Sequence, residues 1–147
     1  MRFCSAVAFM LVACHGQPTS PRGDWEVSTS VAPSVFRVGQ TVTVTVVVTN
    51  RADQSRTIET NVCELFQVMT AGGTVVGPAA KYCAASSFPK TLVPGEQFVF
   101  ATTWSGDALL AGPTRPIVFL APGTYVVNGL AYLSTFKSAS VTIQVIP

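Results

Sequence analysis

Four cysteines and one histidine are the side chains here whose chemistry reaches beyond packing: Cys4, Cys14, Cys63, Cys83 and His15. A zinc site needs thiolates and imidazoles at close spacing, but residues 64–82 separate Cys63 from Cys83 and His15 is remote from both. No metal site is expected. Nucleophilic hydrolysis needs a base held beside the nucleophile, and the only imidazole sits in a short Gly-, Pro- and Ser-containing stretch. Paired carboxylates could cleave a glycoside, yet Asp53, Glu59, Glu64, Glu96 and Asp107 fall singly along the chain, as solvated surface charges do. The glycines stand in Pro-Gly and Gly-Gly turns and none opens a helix, so no phosphate cradle is expected either. Neither a catalytic residue nor a cofactor is therefore expected, and the chain reads as a non-enzyme. The cysteines are left to anchoring and cross-linking.

The N-terminal segment supplies the anchoring chemistry. Arg2 precedes an apolar run of roughly ten residues, the pattern of a secretory signal and too short for the about twenty residues of a membrane-spanning helix. A buried apolar element of the domain, with Cys14 an ordinary thiol, is the alternative that position and flanks fit less well. Leu11-Val12-Ala13-Cys14 resembles the lipobox of bacterial lipoproteins. That resemblance implies removal of residues 1–13 and lipidation of Cys14 with a diacylglycerol thioether and an N-acyl chain. The protein would then be exported and lipid-anchored to the bacterial cell envelope. Where there are two membranes, His15 in place of Asp after Cys14 implies the outer one. Cys4 would leave with the signal, and Cys63 and Cys83 would remain as a pair. In an oxidising compartment such a pair reads as a disulfide, worth about 3 kcal/mol in the chain-entropy description. Residues 14–24 then form a lipidated, Pro- and Gly-containing flexible tether. Within it Arg22-Gly23-Asp24 matches a tripeptide read by integrins, a match short enough to arise by chance and given no weight here.

Residues 25–147 have the length of one domain with its own core. Nine basic and seven acidic residues give a net charge of +2, and there is no basic run to follow a phosphate backbone. Nucleic acid is not an expected partner. The Val-, Thr-, Gly- and Pro-rich composition favours strands and turns throughout, and hence an all-β fold.

The pattern along the chain places those strands. Trp25–Val31 and Val35–Val38 read as one strand interrupted at Pro33, as at a sheet edge or a switch between sheets. Thr41–Asn50 alternates Val42, Val44, Val46 and Val48 against threonines, giving one core face and one wetter face. Arg56–Cys63 resumes the alternation after a polar turn and is expected to lie antiparallel beside it. Leu65–Thr70 and Thr74–Val76 flank Ala71-Gly72-Gly73 as a hairpin. Residues 77–94 read as irregular, ending in the turn Val93-Pro94-Gly95. Gln97–Trp104 brings aromatics to one face, and Thr124–Leu133 and Ala139–Ile146 close the fold. Seven or eight such strands predict an immunoglobulin-like two-sheet antiparallel sandwich.

Val38-Gly39-Gln40, Thr49-Asn50, Leu92-Val93-Pro94-Gly95-Glu96, Trp104-Ser105-Gly106, Ala121-Pro122-Gly123-Thr124-Tyr125 and Gly129-Leu130 follow in the order found in the BsuPI-like bacterial family, and the chain resembles that family over Val35–Val145. The resemblance implies an immunoglobulin-like domain and, as one activity, proteinase inhibition. The chain departs from the family at Cys63-Glu64-Leu65-Phe66, where members commonly carry a Tyr-Asp-Phe-like stretch, and in its export signal. The expected function is therefore a non-catalytic envelope lipoprotein, binding or supporting an envelope protein or glycan. The alternative is an inhibitor that presents an exposed loop to a protease. Two loops are expected to serve an inhibitor, and the same loops together with edge strands to serve a binding module: Ala84–Lys90, with Phe88 and Lys90, and Ser105–Leu120, with Leu109, Leu110 and the Arg115-Pro116 bond. Residues 117–120 could instead form a short strand.

Overall fold

The computed structural model describes residues 23–61, 65–78, 87–108, 117–129 and 140–147. Valine alternation sets the centre of the fold. β3 (Val42–Asn50) lies between β1 (Trp25–Ala32) and β8 (Gln97–Trp104), antiparallel to both, in a three-stranded sheet. Val42, Val44, Val46 and Val48 all face inward and are buried, since side chains two residues apart share a face. The second sheet runs β2-β10-β9-β5-β6, built from β2 (Val35–Arg37), β10 (Ser140–Ile146), β9 (Gly123–Gly129), β5 (Phe66–Met69) and β6 (Val75–Gly77). The order of β1, β3 and β8 against that of β10, β9 and β5 is the A-B-E and G-F-C arrangement of immunoglobulin-like sandwiches.

The break at Pro33 is a switch between sheets. β1 pairs with β3 in one sheet, whereas β2, just past the proline, pairs with β10 in the other. That β2–β10 pair is parallel, so the sandwich is not antiparallel throughout. The expected hairpin forms between β5 and β6, closed by hydrogen bonds from Thr70 N to Thr74 O and from Gly73 N to Thr70 O. Ahead of β8, Glu96 N donates to Val93 O at 3.0 Å, and Gly95 takes φ 78°, a left-handed value that a Cβ would penalise.

Two expectations are corrected. β4 (Arg56–Asn61) does not pair with β3: it forms a separate two-stranded ribbon with β7 (Ser87–Leu92). β7 in turn shows that Phe88 and Lys90 belong to a strand, opposite Thr60 and Ile58, rather than to a loop. Pro89 hid it, because proline within an alternating run reads as a breaker, yet a ribbon edge leaves the missing N–H without cost. With these short strands the described residues contain ten in all, against the seven or eight expected.

The core falls into two parts. At one end Trp104 is enclosed edge-on by Phe36 and Phe66, with ring centroids 5.9 and 5.7 Å away, among Val42, Val44, Val68, Val127 and Ile143. T-shaped aromatic packing of this kind adds about 1 kcal/mol per pair to the burial itself. At the other end Ile58 of the ribbon closes over Val27, Val46, Val48 and Phe100. Between them Gly129 lets the sheets approach: a Cβ there would stand 2.4 Å from Thr29 Oγ1 and 2.9 Å from both Val46 methyls. Gly129 N instead donates to Thr29 Oγ1 at 3.0 Å.

Candidate functional site: an apolar tip

The strand registers give the sandwich two distinct ends. Trp25 pairs with Asn50, while Ala32 pairs with Thr43 and Val42 with Trp104. The chain thus enters at the Asn50 end, here called the base, and the β2–β3 turn and the end of β8 share the opposite end, the tip. Eight residues of β1 put the two about 26 Å apart.

Charge gathers at the base. Arg51 pairs with Glu26, Arg56 with Asp24 at 3.1 Å, and Arg51 N donates to Asp24 O at 2.8 Å, which fastens the chain where it enters. These exposed ion pairs position the segment more than they stabilise it.

The tip is built from two backbone pieces. Arg37–Gln40 closes a turn by Gln40 N donating to Arg37 O at 2.9 Å, with Gly39 at φ 77° and the Gln40 side-chain oxygen accepting from Arg37 N. Beyond β8, Gly106 takes φ 75° and the chain doubles against residues 118–120. Ala108 N donates to Val118 O and Leu120 N to Gly106 O, both at 2.7 Å, with Asp107 bridged to Phe119. Beneath, Trp104 Nε1 donates to the Asp107 carbonyl and Ser105 Oγ to Asp107 Oδ1, both at 3.3 Å. Leu120 drops into the core.

Between the exposed Arg37 and Gln40 of the turn, this frame turns large apolar side chains outward. Ile117 is 73% exposed, Val118 and Phe119 nearly half so, and Val38 is exposed on the adjoining turn. The Phe119 ring lies over Gly39, whose Cα would carry a Cβ 3.7 Å from Cζ, so the two pieces form one surface. Such a run of large apolar groups on rigid backbone is what a protein contact uses at its centre. Arg37 stands at its margin with Nη1 donating to Pro147 O at 2.9 Å.

Of the residues singled out by sequence, Leu109, Leu110 and Arg115 lie outside the described residues, between the two clamped stems of the excursion. Cys14, Cys63 and Cys83 lie outside them as well. Phe88 and Lys90 are on β7 and are not brought to the tip frame. Sequence reasoning singled out none of Val38, Ile117, Val118 and Phe119, although the last three fall within the expected Ser105–Leu120 loop. The signal was present: Ile117-Val118-Phe119-Leu120 does not alternate with polar residues, and four consecutive apolar residues in extended backbone cannot all face the core. Among the described residues no group of three or more His, Cys, Asp or Glu could hold a metal ion, and no helix is long and apolar enough to cross a membrane.

No family model matches the sequence, and no curated protein matches it. Solved structures do resemble it in fold. A Pseudomonas fluorescens alkylpurine DNA glycosylase bound to DNA containing an abasic site analogue aligns with TM-score 0.51 at 15% identity, over 85% of this chain and 31% of that one. A CARDB domain from Pyrococcus furiosus, in complex with di-metal ions, aligns with TM-score 0.46 at 15% identity over 84% and 88%. A Listeria innocua β-glucosidase in complex with glucose gives TM-score 0.46 at 15% identity over 84% and 16%. This chain therefore spans under a third of the glycosylase and under a fifth of the glucosidase. At such identities a likeness concerns fold alone, and the fold it accompanies is the all-β, immunoglobulin-like sandwich described above.

Proposed function

We propose that the chain is a non-catalytic immunoglobulin-like module, held at the bacterial envelope by a lipid on Cys14, that binds another envelope protein through its tip. The observation that carries this reading is the placement of the apolar surface of Val38, Ile117, Val118 and Phe119 at the end opposite the point where the chain enters. A domain tethered at its base would hold that surface away from the lipid. Exposed aliphatic and aromatic groups, with the neighbouring Asp107 carboxylate buried, fit a protein better than a glycan, whose hydroxyls need polar partners.

The test is photo-crosslinking in intact cells from a reactive residue placed at Ile117, with the exposed Ser28 on β1 as the control site. The expected result is one discrete adduct from position 117 that Phe119→Asp abolishes. Equal labelling from both sites, or none from position 117, would refute tip binding.

A second reading is favoured by one feature of the same frame. The 2.7 Å hydrogen bonds from Ala108 N and Leu120 N clamp both stems of the excursion that holds Leu109, Leu110 and Arg115. An inhibitor loop needs such fixed stems to resist release after cutting. Titration against serine proteases decides it: stoichiometric loss of activity supports inhibition, and rapid digestion within residues 109–116 removes it.

A further inference from the structure

β8 is the strand at which the three-stranded sheet stops. Among the described residues it hydrogen-bonds to β3 alone, in uninterrupted register from Val42↔Trp104 to Thr49↔Gln97. Its sequence, Gln97-Phe98-Val99-Phe100-Ala101-Thr102-Thr103-Trp104, has no charge, no proline and no glycine. Edge strands normally carry a charge, a proline or a bulge, or are very short, because their free N–H and C=O groups template further pairing. The other edges have such protection: β2 and β6 are three residues long, and β1 carries Glu26 paired to Arg51.

We propose that β8 pairs antiparallel with β8 of a second copy of this chain, about a two-fold axis at Ala101, joining two three-stranded sheets into one. An antiparallel edge contact is isologous, so every residue meets its own surface, and an uncharged strand is the one that meets itself without like-charge repulsion. On the outer face this register sets Ala101 against Ala101 and Val99 against Thr103 of the partner subunit. Val99 is 55% exposed, and Ala101 and Thr103 are exposed too. On the inner face it sets Phe100 against Thr102 and Phe98 against Trp104. Phe98 and Thr102 point toward the core side yet remain half-buried, so a neighbouring strand would complete their burial. Centring the axis one residue earlier would oppose the two Phe100 rings at the centre of the contact, whereas the Ala101 register sets each Phe100 against Thr102 and leaves the large pair, Phe98 against Trp104, at its two ends. The contact leaves the exposed side chains of Val38, Ile117, Val118 and Phe119 outside the register, with the tip of each copy beside the base of the other.

The experiment is sedimentation of the full chain, purified as the cell processes it, across a concentration series in density-matched detergent, together with hydrogen exchange of the β8 amides. The expected result is a monomer–dimer equilibrium with slow exchange along β8 in the dimer. Ala101→Lys places two ammonium groups directly opposite each other and should raise the dimer dissociation constant about tenfold or more, with an unchanged circular dichroism spectrum. Should that variant misfold, Thr103→Lys, also exposed, sets an ammonium group against the apolar Val99 of the partner subunit at both ends of the outer face and should weaken the dimer in the same direction. A monomer at every concentration overturns the proposal, and slow β8 exchange in that monomer would assign the edge to this chain's own backbone. A dimer that survives both lysines overturns it as well.

Discussion

Asn50 Nδ2 donates a hydrogen bond to the Leu92 carbonyl at 2.9 Å, joining the end of β3 to the end of β7 across 42 positions of sequence. The same amide donates to Gln54 O at 2.9 Å, and its oxygen accepts from Ala52 N at 3.0 Å. The Asn50 backbone takes part too: its N–H donates to Glu96 O and its carbonyl accepts from Gly95 N. One fully buried residue thus ties three segments to one point, the β3–β4 turn and the ribbon through its side chain and the Pro94-Gly95 turn through its backbone. Buried polar groups are retained in this way only when their partners are met, since an orphaned carbonyl costs more than a bond gains.

Asn50→Leu should therefore destabilise the domain by about 2 to 3 kcal/mol, because it strands the Leu92 carbonyl in a dry site and leaves the β3–β4 turn without its bonds to Gln54 and Ala52. Equilibrium unfolding in urea measures this through the midpoint at constant slope. A change below about 0.5 kcal/mol, within the range of ordinary surface substitutions, would show that the β3–β4 turn and the ribbon are held by something other than this amide.

Asn50 also marks where local pattern stops being informative. Alternating valines determine β3, Pro94-Gly95 its turn and Gly72-Gly73 the hairpin, because each rests on residues adjacent in sequence. The pairing of β4 does not. A strand, a five-residue polar turn and another strand resemble a hairpin, but the Asn50 side chain bonds across that turn to Gln54 and sideways to Leu92, and β4 departs to join β7. The tip was half legible for a similar reason. Residues 105–120 stood out by length, whereas the contact of Phe119 with Gly39 depends on a fold that brings together segments about eighty residues apart in sequence.

Gly129→Ala should cost about 1 to 3 kcal/mol, since the added methyl would meet Thr29 Oγ1 and both Val46 methyls well inside contact distance. The backbone there belongs to a sheet and has little room to yield. Val46→Ala removes the two methyls, so the double variant should lose less than the sum of the single ones. Strict additivity would mean that the two sheets separate rather than compress.

Ile117→Ser should leave stability within about 0.5 kcal/mol of the parent, because a side chain 73% exposed has little burial to lose. Trp104→Ala, beneath the same frame, should cost about 3 to 5 kcal/mol through the cavity it opens between Phe36 and Phe66. The contrast separates binding from folding at the tip: thermal unfolding reports both variants, and an Ile117→Ser protein as unstable as Trp104→Ala would make residue 117 part of the core.

The proposed bridge between Cys63 and Cys83 makes the last prediction. Both would flank the β4–β7 ribbon, Cys63 following β4 and Cys83 preceding β7 in sequence. Since β4 and β7 are antiparallel with Asn61 opposite Ser87, the chain leaving one strand and the chain entering the other start from the same end of the ribbon. A covalent link there would restrain a two-stranded ribbon, a unit marginal by itself in water, by closing a loop that costs the unfolded chain about 3 kcal/mol. Cys63→Ser should accordingly lower the melting temperature by roughly 10 °C under oxidising conditions. Under reducing conditions the variant and the parent should melt together. Thiol labelling of protein drawn from the envelope gives the direct answer: Cys63 and Cys83 both reacting before reduction would refute the bridge, and among the described residues the ribbon would then be held by Ile58, the Asn50 amide and the Arg56–Asp24 pair.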